Sequence, residues 1–434
     1  MYIVCNINEF LSSMPNINNV KPEVAVIGAG IIGVTTALQL QKAGYQVTLI
    51  DKLGIGEGCS KGNAGHFATE QVFPLADSSL LPKIPSMLLD PLGPFRISLP
   101  YLLKALPWFL KFITNMRPSA YEKNKLALRR LNLQALPAWK RILSELRMEH
   151  LIELKGSLLT FEQQSSEQAL KILALYQAED ISVQLLNRAQ LEQLQPGLDT
   201  RVHCALYFNE VGHTINPYLL TQTLYQECQR LGVIFKKTEV TEINHLKNQP
   251  IVSFIDAKSQ SFDKLVLCTG AFSKKLCLQL GYKIPIEAER GYHLMAQAAS
   301  MPKIPIASFD KKFIMTPMAE GLRLAGTVEF SGLKQPANYK RALALLPLGQ
   351  AIWPAITTKL TDDNLIMWMG CRPSLPDSKP IISQSGKHQS IYFNLGHQHL
   401  GLTLAATSAE LITALISSNN PTIELSDFSI NRFN

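Results

Sequence analysis

The chain has 434 residues, 46% of them hydrophobic and 18% charged, with a formal net charge of +8. That length exceeds one compact core and predicts two domains, and the composition excludes a disordered or fibrous chain. The positive balance admits nucleic acid, anionic lipid or acidic ligands, but no dense basic run with interleaved aromatics occurs, which sets nucleic acid aside. Seven scattered cysteines without C-x-x-C or metal-ligand spacing predict a reducing, cytoplasmic setting and no bound metal. Residues 1–20 lack the basic start and apolar core of a secretory signal and read as an N-terminal extension.

The strongest local signal runs from Glu23 to Asp51. Val24 to Ile27 read as a buried parallel strand that leads into Gly28, Gly30 and Gly33 at G-x-G-x-x-G spacing, where a helix must begin. The first glycine permits a tight turn, the second lets a pyrophosphate approach the backbone, and the third lets the helix pack close to the strand. Bare N–H groups at that helix start would face the phosphates. Gly44 is placed to end the helix, and Val47 to Ile50 form a second apolar strand. That strand delivers Asp51, 18 positions after Gly33, where a carboxylate can accept hydrogen bonds from an adenosine ribose. Glycines alone would fit an ordinary strand–turn–helix that binds nothing. Here strand, helix and acid agree, and the acid favours NAD or FAD over a 2′-phosphorylated nucleotide.

Five glycines between positions 54 and 65 follow, a loop whose backbone could press against a flat ligand. Residues 78–118 are apolar, punctuated by proline, and carry five cations against the single acid Asp90. No run there reaches the eighteen or so uninterrupted apolar residues that span a bilayer. Residues 101–116 could form a basic amphipathic helix on a membrane surface, or a helix pair packed on the protein's own core. A long helix is expected over 120–147, then strands at 156–161, 182–186 and 205–208 alternating with helices at 167–179 and 188–195. Asn216, Pro217 and Gly232 read as the cap, first residue and stop of another helix. Strands are expected up to KLVLCTGAFS, whose small residues Thr269 and Gly270 suit close packing on a nucleotide. A strand-rich stretch covers 284–330 with a hairpin at Glu320–Gly321, a helix is expected over 336–353, and a last strand over 391–394 precedes a terminal helix.

The glycine fingerprint, GNAGH (Gly62 to His66), LCTGAFS, GCRPSLPD (Gly370 to Asp377) and NLGHQHLG (Asn394 to Gly401) occur here in one order. Together they resemble the D-amino-acid dehydrogenase branch of the flavin-dependent amine oxidoreductases, which includes D-amino-acid oxidase, glycine oxidase and sarcosine oxidase. The resemblance implies an α/β protein with a Rossmann-type FAD-binding domain and a second, strand-rich α+β substrate domain. The FAD domain would be discontinuous, at 21–80, 210–282 and 365–434, with 81–209 and 283–364 binding substrate.

By the same resemblance, Gly28, Ala29, Gly30, Ile31, Ile32 and Gly33 would hold the diphosphate, with Ser60 beside it and Asp51 and Lys52 at the ribose. Val240, Thr269 and Gly270 would flank the adenosine half. Asn63, Ala64 and Gly65 would lie along the isoalloxazine, and Gly370, Gly396, His397, Gln398, His399 and Leu400 around its far end. A helix start after Gly401 would add positive potential there, which suits an anionic reduced flavin.

The implied chemistry is loss of a Cα hydrogen as hydride to flavin N5 from an amino or cyclic imino acid, with electrons passed to a quinone or other acceptor. The substrate carboxylate needs a bidentate partner, and Arg372 occupies the arginine of the family's G-x-R-P motif. An interdomain ion pair is the other reading of that arginine. Tyr292 is the candidate hydroxyl partner, or else a buried structural tyrosine. His66 stands beside the ring-contacting loop, where it could touch substrate or flavin or be a satisfied core histidine. His293 alternates with Tyr292, so only one of them faces the pocket.

Two departures count. Where the family reads G-H-G-x-x-G-W-T, Gln398 replaces a glycine and Leu402 a tryptophan, which implies a remodelled pocket or a shifted backbone. Cys371 lies one position out of register with the cysteine that anchors flavin in sarcosine-type relatives, so FAD is expected to be non-covalent. Alternatives to a dehydrogenase are an oxygen-using oxidase and a flavin-binding subunit without turnover. Membrane contact through 78–118 would place the protein peripherally on the inner face of the plasma membrane.

Overall fold

The computed structural model describes residues 21–83, 92–246 and 248–433; the N-terminal extension and part of the basic apolar segment lie outside the described residues. Strand Glu23–Ile27 sits inside a six-stranded sheet, ordered Ile234–Lys237, Gln46–Asp51, Glu23–Ile27, Lys264–Leu267, Ile391–Leu395, Ile381–Gln384. The first five run parallel and the last antiparallel. A strand buried on both faces must be apolar at every position, and this one divides its residues between two cores. Val24 and Val26 pack under helices Ile31–Lys42, Pro217–Arg230 and Gly401–Ile416, while Ala25 and Ile27 meet Val252 and Phe254 of the meander Val240–Leu246, Gln249–Phe254, Ser259–Ser261.

The expected stops and caps hold locally. Gly44 and Gly232 take φ of +95° and +97°, the left-handed conformation of a helix C′ residue. Asn216 Oδ1 accepts from Tyr218 N and Leu219 N at 2.9 and 3.0 Å, with Pro217 opening the helix.

A larger sheet runs Ile366–Ser374, Glu287–Ala296, Gly321–Phe330, Phe313–Met318, Ile306–Ser308, Ser157–Phe161, Cys204–Phe208, Val183–Asn187, and Phe95–Ile97 pairs with Gly321–Phe330. Its core is built on Leu294, Leu324, Phe313 and Trp353. A small sheet of His66–Phe67, Gly212–Thr214 and Ile152–Glu153 ties the glycine loop to the chain beyond.

Three segments depart from expectation. Ile366–Ser374, assigned to the FAD domain, is an edge strand of the larger sheet beside Glu287–Ala296. The long helix Pro118–Leu146, assigned to the substrate domain, packs against the FAD-side helix Gly401–Ile416, and Trp139 Nε1 donates to Leu402 O at 2.9 Å. The helix expected over 336–353 is two short pieces, Lys340–Leu343 and Leu345–Gln350. Pro347 has no N–H to give to the carbonyl of Leu343 and its ring crowds that carbonyl, and Leu343 is where the first piece ends.

Residues 398–416 are long and apolar enough to cross a membrane, yet 67% of that stretch is buried, which makes it a core helix. Helix Leu99–Thr114 differs. Trp108 is buried and its Nε1 reaches Ser374 O at 3.3 Å, whereas Leu102, Leu103, Leu106, Leu110 and Ile113 are exposed on its outer side.

Candidate active site

The first glycine turn is shaped by contacts that forbid a side chain. A Cβ on Gly28 would lie 2.4 Å from Cys268 O, and one on Gly33 would lie 1.7 Å from Gly28 O. Asp51 fastens the turn: its Oδ2 accepts from Ala29 N at 2.8 Å, and its Oδ1 from Leu53 N and Gly54 N at 2.7 and 3.2 Å. The Oδ2 atom keeps a lone pair for a further donor. Ser60 Oγ accepts from Ile31 N at 2.9 Å, so one of the helix-start N–H groups is already used, and the serine hydroxyl itself is left to donate to an anion.

From this turn a cavity of about 990 Å³ runs past Asp51, Val240 and Thr269 to His397 and Arg372. At its far end Asn394 Oδ1, His397 Nε2 and Gln398 Oε1 are buried polar atoms that find no partner among the described residues. Burial holds the His397 imidazole neutral, with its pKa lowered to about 3. Unpartnered buried polar atoms cost free energy, which folded chains retain where a site has a use for it. A glycine turn closed to any Cβ at one end, Asp51 with an acceptor site to spare and a cleft of this volume fit FAD.

The loop between them is tied from both sides. Asn63 Nδ2 donates to Ser60 O at 2.9 Å and its Oδ1 accepts from Gly65 N at 2.7 Å. Arg323 Nη1 donates to Asn63 O at 2.7 Å from the larger sheet. Burial lowers the Arg323 pKa to about 10, so it stays charged at neutral pH.

The wall opposite is made by two antiparallel strands in register Glu289↔Arg372, Gly291↔Gly370, His293↔Trp368. Alternation puts all six on one face. Trp368 stacks on His293 with centroids 5.3 Å apart and planes 18° apart, and His293 Nδ1 donates to Gly62 O at 2.9 Å. Arg372 Nη1 donates to Glu289 Oε1 at 2.8 Å, and Arg372, Gly291, Trp368 and Gly370 line the cavity. Lys274, Cys59 and His399 complete this end.

Most of the residues named from sequence line this cavity: Gly28, Gly30, Ile31, Ile32, Asp51, Lys52, Ser60, Asn63, Ala64, Val240, Thr269, Gly270, Gly370, Gly396, His397, Gln398, His399 and Arg372. Six expectations need correction. Ala29 gives its amide to Asp51, and Gly33 backs onto Gly28, so both shape the turn from behind. Gly65 packs against Met318 and Thr214, and Leu400 lies in the apolar core. His66 is a satisfied, partly buried histidine: its Nδ1 faces Gly212 O at 3.1 Å and its Nε2 faces Glu70 Oε1 at 3.0 Å. Tyr292 borders the cavity, but it alternates away from Arg372; its hydroxyl donates to Glu329 Oε2 at 2.6 Å and accepts from Asn338 N at 3.1 Å. Of the pair, Tyr292 is the one in the cavity lining, with its hydroxyl already committed, while His293 is held against Trp368 and Gly62.

Glu289, Trp368 and Arg323 were not singled out from sequence. Counting back by twos from Arg372 reaches Gly370 and Trp368, so the first strand was readable; its partner's register was not. Gln398, at a family glycine, takes φ of +51°, and its Nε2 donates to Leu375 O at 2.9 Å, which compensates the left-handed backbone. Among the described residues no group of three His, Cys, Asp or Glu could hold a metal.

A fold of this kind, with a glycine turn facing a deep cleft between a parallel sheet and a strand-rich wall, defines a flavin-type oxidoreductase. The chain belongs to the FAD dependent oxidoreductase family, whose pattern it matches over residues 23–415. It is 31% identical over 414 residues to a D-amino-acid oxidase of Bradyrhizobium diazoefficiens, covering 94% of this chain and 98% of that one. It is 29% identical to a D-amino acid dehydrogenase of Vibrio vulnificus, with 92% and 97% covered. In three dimensions it resembles glycine oxidase from Geobacillus kaustophilus with a TM-score of 0.74, at 17% identity and with 95% and 99% covered.

Proposed function

We propose that this protein oxidises D-amino acids or cyclic imino acids of the D-proline type with non-covalent FAD, and passes the electrons to a quinone or other respiratory acceptor. FAD bound in the cleft supplies the hydride acceptor; the chain supplies orientation and dryness. The observation that carries the reading is Arg372, an arginine laid along the cleft wall in the same cavity as the glycine turn. Its guanidinium would pin the substrate carboxylate and so fix Cα against the ring. Trp368, stacked on the buried neutral imidazole of His293, whose pKa burial lowers to about 3, gives that wall an apolar surface. A dry wall favours the neutral amine that hydride loss requires.

The acceptor is argued from helix Leu99–Thr114. Its exposed leucines, accompanied by the exposed Lys104 and Lys111, form an apolar stripe with basic flanks, as on helices that lie in a lipid interface. The helix abuts the cleft: Tyr101 packs over Gly332, and the next residues, Leu333 and Lys334, line the cavity. The rival reading, an oxygen-using oxidase, is favoured by the name of the 31% identical relative.

Anaerobic flavin reduction with a panel of amino and imino acids, both enantiomers, tests the reaction. Bleaching by D-enantiomers or D-proline is expected, and a panel that leaves the flavin oxidised overturns it. Stoichiometric peroxide in air would transfer the protein to the oxidases, and a yellow acid precipitate would mean covalent flavin.

A further inference from the structure

Glu289 lies directly across the strand pair from Arg372, its side chain 6% exposed, and accepts Nη1 at 2.8 Å. A free arginine at a cleft wall has several rotamers and would have to be ordered by each incoming ligand. Here two neighbours order it in advance. Glu289 takes Nη1. Gly291 lets the guanidinium lie flat on the strand: a Cβ at 291 would fall 2.4 Å from Nη2, 2.5 Å from Cζ and 3.0 Å from Nε. Among the described residues Arg372 donates to Glu289 alone, so its Nε–Nη2 edge, one of the two edges that can grip a carboxylate through parallel bonds, is uncommitted.

We propose that Glu289 is a positioning residue for substrate: it holds Arg372 by Nη1 and thereby reserves the Nε–Nη2 edge for the substrate carboxylate, an inference that rests on Arg372 being the carboxylate clamp. The ion pair also leaves this wall neutral before substrate arrives. Affinity for an acid therefore comes from the preset geometry of the fork more than from net charge.

The test uses the FAD-loaded protein and two readouts, KM for the best substrate and the dissociation constant of benzoate, a carboxylate with no α-hydrogen to lose, followed by the flavin spectrum. E289A should raise both at least tenfold with kcat changed less than threefold. E289Q, whose amide oxygen still accepts Nη1, should stay within threefold of the parent. On an R372A background E289A should add nothing, whereas a merely structural role would add its own loss. If E289A fails to take up flavin, E289D, shortened by one methylene, should show an intermediate loss of benzoate affinity. Parent-like benzoate binding in E289A or E289D, together with its loss in R372A, overturns the positioning role alone. Parent-like binding in R372A removes the clamp and the inference with it.

Discussion

Trp368 and Gly62 meet across the cleft so closely that a Cβ on the glycine would fall 2.2 and 2.4 Å from the indole ring. The glycine belongs to the flavin-side loop and the tryptophan to the substrate-side strand, so this contact sets the gap between the two halves of the site. Gly62→Ala should displace the loop and cost about 1–3 kcal/mol, as overpacking does. The expected outcome is weaker FAD retention by fluorescence titration, with partial recovery when Trp368→Leu is added. Full additivity of the two changes would disconnect them.

Arg372→Lys keeps a positive charge but loses the planar fork. The expected loss in kcat/KM is on the order of 2–5 kcal/mol, carried mostly by KM, with the visible spectrum of bound flavin retained. Steady-state kinetics on the reduced acceptor measure it.

Asp51→Ala removes the acceptor for three backbone N–H groups, Ala29, Leu53 and Gly54, as well as the proposed ribose partner. Leaving such donors unpaired costs about 1–3 kcal/mol, so FAD affinity should fall on the order of tenfold to a hundredfold. Calorimetric titration of the apoprotein with FAD reads this directly.

Three buried histidines make stability depend on pH. Burial lowers His213 to about 4 and both His293 and His397 to about 3. The unfolded chain protonates them near 6.5, the folded chain does not, so the unfolded state binds more protons below that pH. Their stabilising contribution is complete above about pH 6.5 and drains away as pH falls towards 3–4, by up to about 1.4 kcal/mol per pH unit for each. Urea unfolding at pH 7.5 and 5.5 should show the decline, and His293→Asn should flatten it by about one third; a flat parent profile would count against neutral burial.

Leu103→Glu with Leu110→Glu places two charges on the exposed stripe of helix Leu99–Thr114 without touching Trp108, which seats it. Co-sedimentation with anionic vesicles should drop severalfold while turnover with a soluble dye stays level. Equal sedimentation of both proteins would leave that face without a role at the bilayer.

The glycine turn, Asp51 and the caps at Asn216, Gly44 and Gly232 were legible because each is a local requirement: a backbone angle, a cap or a buried strand asks for particular residues at fixed offsets. Arg372 was legible through a motif. His66 was misplaced because nearness in sequence stood in for direction, and Tyr292 reaches the cavity with a hydroxyl that Glu329 and Asn338 already hold. On an alternating strand a shift of one residue reverses the face, and a histidine two places past the loop already belongs to another sheet.

What the sequence determined by itself is the nucleotide half, since the glycine turn, the helix start and Asp51 all lie within one continuous strand–helix–strand unit. The tertiary structure decided the substrate half. Which residues face Arg372 depends on the register of Ile366–Ser374 against Glu287–Ala296, two strands roughly eighty positions apart, and nothing in either strand alone fixes which residue stands opposite which.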